Sequence, residues 1–189
     1  ESGILSASFL EMSHTLNELI EDIHLIAGNA QKGNLSYRGD AAKYHGAYRD
    51  LVQGFNDALN AIIGPLNVSA EYVDRISKGD MPPKITESYQ GDFNAIKNNL
   101  NQCIDAINLL ISDSDKIYQA VKVGDMQTKA DRNMHQGDFR KVMDGIMNTL
   151  DIIGVAFAEN IRVISEMEKG NLSVRFEGNF LGAFAMLQN

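Results

Sequence analysis

A glycine-centred segment recurs along the chain at an almost constant interval. Its copies are centred, 46, 45 and 46 residues apart, on Gly33, Gly79, Gly124 and Gly170. A second glycine, followed two residues later by an aromatic residue, keeps the same period at Gly46, Gly91, Gly137 and Gly182. Two markers on one period of about 20–50 residues are typical of stacked structural units that each bury little surface alone.

The two markers divide each repeat into a short segment and a long one. The short segments, of 13, 12, 13 and 12 residues, are rich in Gly, Asn, Ser and Asp, which is typical of connectors. Each complete long segment between successive markers has 33 residues and predicts a helix about 50 Å long. The low aromatic content of 7% and the three prolines also favour long helices over a β-sandwich.

Apolar residues in the long segments follow a strict heptad, which we call the seam. In the third segment the seam runs through Phe93, Ile96, Leu100, Cys103, Ile107, Leu110, Ser114, Ile117 and Val121. The equivalent frame in all four segments, from Ser2 onwards in the first, holds 30 apolar residues in 36 positions, against about 16 expected at 44%. The sequence therefore predicts coiled-coil-like helices with a left-handed supercoil.

A narrow seam has to be covered by other helices. A 13-residue connector spans roughly 40 Å when extended, enough to return the chain to the start of a bundle and leave successive half-helices parallel. Two parallel helices make only half of a four-helix bundle, and a homodimer would complete it. We therefore expect an all-α chain of parallel four-helix bundles, formed by a homodimer and joined by long shared helices.

The repeat resembles the HAMP domain, the signal-relay module of chemoreceptors and sensor histidine kinases. The run from Pro65 to Gly79-Asp80-Met81 resembles the first HAMP helix, and Gly91-Asp92-Phe93, followed by Asn101, resembles the start of the second. Asn56 repeats the Asn, whereas Met147 replaces it. This resemblance implies tandem HAMP units, in which each long helix is the second helix of one unit fused to the first helix of the next.

The resemblance also implies roles for individual residues. Pro65 would start a unit, and the connector glycines would be Gly33, Gly79, Gly124 and Gly170. The hydrophobic connector anchors would be Leu35, Met81, Ile85, Met126, Ala130, Leu172 and Phe176, with Gly39 standing where the first connector would have its second anchor. The start of the second helix would be marked by Tyr48, Asp92, Phe93, Asp138 and Phe139.

The period sets the expected domain boundaries. Residues 1–16 would be the tail of a preceding second helix, and we expect the array to extend beyond this chain. Repeats 1 to 4 would cover residues 17–62, 63–107, 108–153 and 154–189, the last of them truncated.

A polar layer interrupts the seam at Ser69, Ser114 and Asn160. One interpretation is simple tolerance of small residues. The other is a soft layer that leaves two helix packings close in energy, as a switch requires.

Other features exclude function classes. The net charge of −8 argues against nucleic acid and against direct contact with an anionic membrane. The two Glu-x-x-His pairs, at Glu11 and Glu21, predict solvated helix faces rather than a di-iron site. We expect Cys103 to be a small buried seam residue, and His45 and His135 to be turn or surface residues.

The sequence thus predicts a non-enzymatic relay without a cofactor or metal, either a cytoplasmic protein or the cytoplasmic part of a membrane receptor. Its partners would be a second copy of itself and the adjacent sensor and output domains of the same protein. Two other classes stay open, a passive dimerising coiled-coil spacer and a metal-binding helical protein.

Overall fold

The computed structural model describes residues 2–178 and 180–188. Four long helices dominate it: α1 (Ser2–Gln31), α2 (Gly46–Ser77), α3 (Gly91–Lys122) and α4 (Gly137–Glu168). Short 3₁₀ turns occupy Ala41–Lys43, Arg132–Met134 and Gly182–Gln188, and the described residues contain no strand. The all-α prediction is confirmed. Among the seam positions, the side chain of Ser2 lies outside the described part of the chain.

The chain divides into two compact bodies. The N-terminal body comprises Glu1–Pro82 with Glu87–Lys97, and the C-terminal body comprises Pro83–Thr86 with Asn98–Asn189. Helix α3 is continuous from Gly91 to Lys122. Helix α2 is likewise unbroken at Pro65, although the missing N–H removes one backbone hydrogen bond from its interior.

Each long helix ends in the same hydrogen-bonded cap. At the end of α2, the N–H of Gly79 donates to the carbonyl of Ile76 at 3.0 Å, and the N–H of Asp80 donates to that of Arg75 at 3.0 Å. This Schellman motif needs a residue with positive φ, and Gly79 has φ 77°. The same pair of bonds recurs at the three other connector glycines, Gly33, Gly124 and Gly170. The recurring connector glycines therefore mark the C-terminal ends of the four long helices.

Each body has its own apolar core beneath a connector. In the N-terminal body, Leu19, Tyr44 and Val52 form a buried cluster. In the C-terminal body the cluster consists of Ile117, Met143, Met147 and Leu150, with Met126 and Ala130 of the third connector packed against it. Both cores therefore hold a connector against the helices on either side of it in the sequence.

Candidate functional site

The second connector is clamped by one asparagine of the following helix. Oδ1 of Asn101 accepts a hydrogen bond from the Ile85 N–H at 2.8 Å, and its Nδ2 donates to the Ile85 carbonyl at 3.0 Å. The Ile85 side chain is buried. The two bonds satisfy both backbone groups of a buried connector residue, as burial requires.

The first connector has the same clamp on a glycine. Asn56 accepts from the Gly39 N–H at 3.0 Å and donates to the Gly39 carbonyl at 2.8 Å. A Cβ at Gly39 would lie 2.8 Å from side-chain carbons of both Ile26 and Val52. The space that Ile85 fills in the second connector is thus filled here from α1 and α2, which explains why this anchor position lacks a side chain.

The third connector has no asparagine clamp. Met147 stands at that helix position and is completely buried, and Ala130 packs in the same core. A hydrophobic contact therefore replaces the two hydrogen bonds of the other connectors.

Two buried polar pairs link connectors to the helix before them. The Tyr44 hydroxyl donates to Oδ2 of Asp22 at 2.8 Å, and Nε2 of His135 lies 3.0 Å from Oδ2 of Asp113. Tyr44 and His135 are both buried, so the expectation that His135 is a surface residue is wrong, whereas His45 is exposed. His135 is buried because it has a carboxylate partner on α3.

Electrostatics in these pairs follow from burial and charge. Burial, and then the hydrogen bond to Asp22, raise the pKa of Tyr44 to about 12. Lys116, assisted by His135, holds the pKa of the Asp113 carboxyl below its ordinary value against the effect of desolvation. Asp113 is therefore a buried carboxylate with two hydrogen-bonding partners.

Sequence reasoning missed both pairs. Each Asp precedes its connector glycine by 11 residues, and each partner precedes the next marker glycine by two. The pattern that predicts such a pair is an Asp 11 residues before a connector glycine, together with a Tyr or His two residues before the next marker glycine in a 13-residue connector.

The remaining anchors differ in their environment. Leu35, Met81 and Phe176 are half-buried, whereas Leu172 is 75% exposed. At the helix starts, Tyr48 and Phe93 are half-buried, and Phe139, Asp92 and Asp138 are exposed.

Two residues of the polar layer are hydrogen-bonded within their own helices. The Ser69 hydroxyl donates to the carbonyl of Pro65, and Nδ2 of Asn160 donates to that of Ala156, both at 2.8 Å. Ser114, like these two residues, is half-buried. Such local bonds satisfy the side chains without a partner helix.

Several other predicted features are located by the structure. Cys103 is exposed in the single chain, so the prediction of a buried cysteine is wrong for it.

His14 pairs with Glu18 of its own helix, and within the described ranges no group of His, Cys, Asp or Glu side chains is arranged to hold a metal ion. None of the helices described combines the length and apolarity that a membrane span requires.

A family model described as the HAMP domain matches residues 43–109 and 134–189, together more than half of the chain. The chain therefore belongs to the HAMP domain family, with tandem copies, as the repeat predicted. No curated protein and no solved structure matches it. HAMP domains are signalling linkers rather than catalysts, and membership implies a role in signal relay. The repeat boundaries given above stay predictions.

Proposed function

We propose that this chain relays conformational changes from an upstream sensor to a downstream output domain, as a parallel homodimer whose bundles switch between alternative helix packings. It would act in the cytoplasm, in chemotaxis or two-component signalling, without catalytic chemistry of its own. The output would be a chemoreceptor signalling tip or a kinase.

The observation that carries this proposal is an offset of one residue between the predicted seam and the buried face in the first halves of α2 and α4. Leu51 and Val142 belong to the seam and are 45% and 50% exposed. Val52 and Met143, next in the sequence, are completely buried. The chain thus covers the neighbouring face with its own connector and leaves a large part of the seam to another molecule.

The exposed part of the seam is long and follows a heptad. Other large hydrophobic seam residues with at least a third of their surface exposed are Leu5, Phe9, Met12, Leu16, Phe55, Ile62, Phe139 and Met167. An apolar stripe of this period is complementary to the same stripe on a second copy. A second chain therefore supplies the two helices that each four-helix bundle lacks.

Relay would operate through the long helices. In α3, residues before about Ile107 belong to repeat 2 and those after it to repeat 3, so a rotation of one half is imposed on the other. The half-buried polar layer would lower the free-energy difference between two packings of each bundle.

The dimer and its orientation are tested together. Light scattering at micromolar concentration should give the mass of two chains. In a Cys103→Ser background, the seam variant Leu16→Cys should cross-link between chains with a short bis-maleimide, because parallel chains bring equal residues to one level. Glu18→Cys, outside the seam, is the matched control and should cross-link much less. A folded monomer, or no cross-linking at Leu16, would contradict the proposal.

The main alternative is a passive spacer. A spacer would show one helix packing under all conditions. A relay placed between a sensor and an output domain should show two, and inter-chain distances at Leu16 should change with the stimulus. One unchanged distance would favour the spacer.

A further inference from the structure

The two buried polar pairs occupy the same place in repeats 1 and 3. Tyr44 and Asp22 are 22 residues apart, and so are His135 and Asp113. Each Asp lies in the first helix of its repeat, about 16 Å before the connector glycine. Its partner lies two residues before the second helix begins. Each pair therefore joins the start of the second helix to the middle of the helix before it.

Repeats 2 and 4 have different residues at these positions. Repeat 2 has Val68 and Tyr89, and repeat 4 has Glu159 and Phe180. Val68 and Phe180 have no hydrogen-bonding side chain, and Glu159 instead binds Arg162 and the Glu177 N–H. In the described residues, then, the pair occurs in the 13-residue connectors and is missing from the 12-residue ones.

The connector geometry supports the pairing. In repeats 1 and 3 the connector includes a 3₁₀ turn, Ala41–Lys43 or Arg132–Met134. An Asp side chain caps each turn, Asp40 by accepting from the Ala42 N–H at 3.0 Å and Asp131 from the Asn133 N–H at 2.9 Å. Tyr44 or His135 follows directly after this turn. The one additional residue of the 13-residue connectors therefore lies next to the side chain that pairs with the Asp.

A buried pair of this kind resists small displacements. A shift of about 1.5 Å, one residue along a helix, would break a hydrogen bond of 3 Å. Breaking it would leave a largely buried carboxylate without one of its partners, which is costly. Lys116 at 2.8 Å from Asp113, and Lys43 at 3.4 Å from Asp22, would remain, but both are mainly solvent-exposed.

We propose that Asp22–Tyr44 and Asp113–His135 are positional locks that fix the second helix of repeats 1 and 3 along and around the first. Repeat 2, which has the asparagine clamp but no such pair, is the repeat in which the second helix moves more freely. This inference rests on the proposed relay, in which relative helix position carries the signal. The four residues are positioning residues.

The sharpest test compares two variants of His135 that differ from each other by one oxygen atom. His135→Tyr reproduces the pair of repeat 1 and should keep the lock, whereas His135→Phe has the same ring without the hydroxyl. Nitroxide labels at Gln119→Cys on α3 and Asn148→Cys on α4, in a Cys103→Ser background, report the distance between the helices. Labelled chain is diluted with unlabelled chain so that the signal comes from within one molecule.

The unmodified chain and His135→Tyr should each give one narrow distance distribution, and His135→Phe a broader or shifted one. Narrow distributions in both variants would overturn the proposal, because the hydrogen bond would then position nothing. Broadening in both would also overturn it, because ring size rather than the bond would be responsible. Asp113→Leu, which has nearly the same side-chain shape but cannot hydrogen-bond, serves as a second variant if His135→Phe fails to fold, and it should likewise broaden or shift the distribution.

A matched pair in the other body provides an independent measurement. Tyr44→Phe removes the locking hydroxyl of repeat 1, and Tyr89→Phe removes the equivalent one of repeat 2. Labels at Ala27 and Ala61 should report a broader distribution for Tyr44→Phe. Labels at Glu71 and Ala95, both within the N-terminal body, should report no change for Tyr89→Phe. Equal responses would overturn the proposal.

These distances lie within one chain, so their outcome is separate from that of the relay. The relay itself fails if light scattering shows a folded monomer, whatever the labels report.

Discussion

The side-chain amide of Asn101 holds both backbone groups of Ile85, with Oδ1 2.8 Å from the Ile85 nitrogen and Nδ2 3.0 Å from its oxygen. The side chain of Ile85 is buried, so these groups have little access to water. One residue of α3 therefore determines where the second connector lies.

Removing this clamp should destabilise the C-terminal body. Asn101→Ala would leave a buried N–H and a buried carbonyl without partners, and we expect the free energy of unfolding to fall by about 1–3 kcal/mol. Asn99→Ala, at an exposed site on the same helix, is the control and should change it by less than about 0.5 kcal/mol. Urea denaturation followed by circular dichroism measures both, and equal effects would show that the clamp does not hold the connector.

Alanine substitutions at two glycines of the N-terminal body, Gly39 and Gly54, should change the stability of the chain in opposite directions. Gly39→Ala would place Cβ 2.8 Å from carbons of Ile26 and Val52, and overpacking of this kind costs about 1–3 kcal/mol. Gly54→Ala, on a helix surface with no heavy atom within 4 Å, should instead stabilise the chain by up to about 1 kcal/mol. Melting temperatures that moved in the same direction would contradict the packing at Gly39.

The heptad and the two glycine markers were sufficient to predict the helices and connectors. Local physics determines these features, because a Schellman cap needs a residue such as Gly79 and a coiled-coil helix needs a repeating apolar seam. The face buried within one chain was predicted only in part. The seam residues Leu19 and Ile117 are buried, but in the first halves of α2 and α4 the buried face lies one residue after the seam, at Val52 and Met143, because a connector packs there.

The buried state of His135 was also missed. A histidine near a glycine in a polar connector has the composition of a surface turn. What buries it is Asp113, 22 residues earlier, and a pairing at that separation depends on the path of the connector. The exposure of Cys103 was missed for a related reason, since a seam position is buried only when other helices cover it.

The buried hydroxyl of Tyr44 should make the stability of the folded chain depend on pH in alkaline solution. Its pKa is raised to about 12 from the ordinary value of 10. The folded chain therefore keeps a proton that the unfolded chain loses, and this contribution to stability is complete below pH 10 and lost as the pH rises to about 12. Tyr44→Phe should show a shallower loss of stability across that window. Ultraviolet absorbance titration should find one late-titrating tyrosine, absent from the variant, and identical titrations would contradict the buried pair.

Replacing Asn160 in the seam by an apolar residue should stabilise the dimer. If its seam position faces other helices in the dimer, Asn160→Ile should add apolar burial and stabilise the dimer by roughly 1 kcal/mol or more. Within a full receptor, the variant should bias the output toward one state. Asn148→Ile, at an exposed site outside the seam, is the control and should give no such gain. A melting temperature that fell for Asn160→Ile, with signalling unchanged, would exclude a core position.

The last prediction concerns the phase of α3, which runs unbroken from Gly91 to Lys122 through the expected junction between repeats 2 and 3. One residue inserted after Asn108 would rotate everything downstream by about 100° and displace it by about 1.5 Å. The downstream seam would then face solvent, or the helix would have to unwind. Seven residues that continue the heptad add nearly two turns, and a supercoil of period 3.5 absorbs the difference. The single insertion should therefore lower the melting temperature and uncouple output from input, and the seven-residue insertion should restore much of both. If the two insertions behave alike in melting and in signalling, the repeats are joined by flexible linkers and α3 carries no signal.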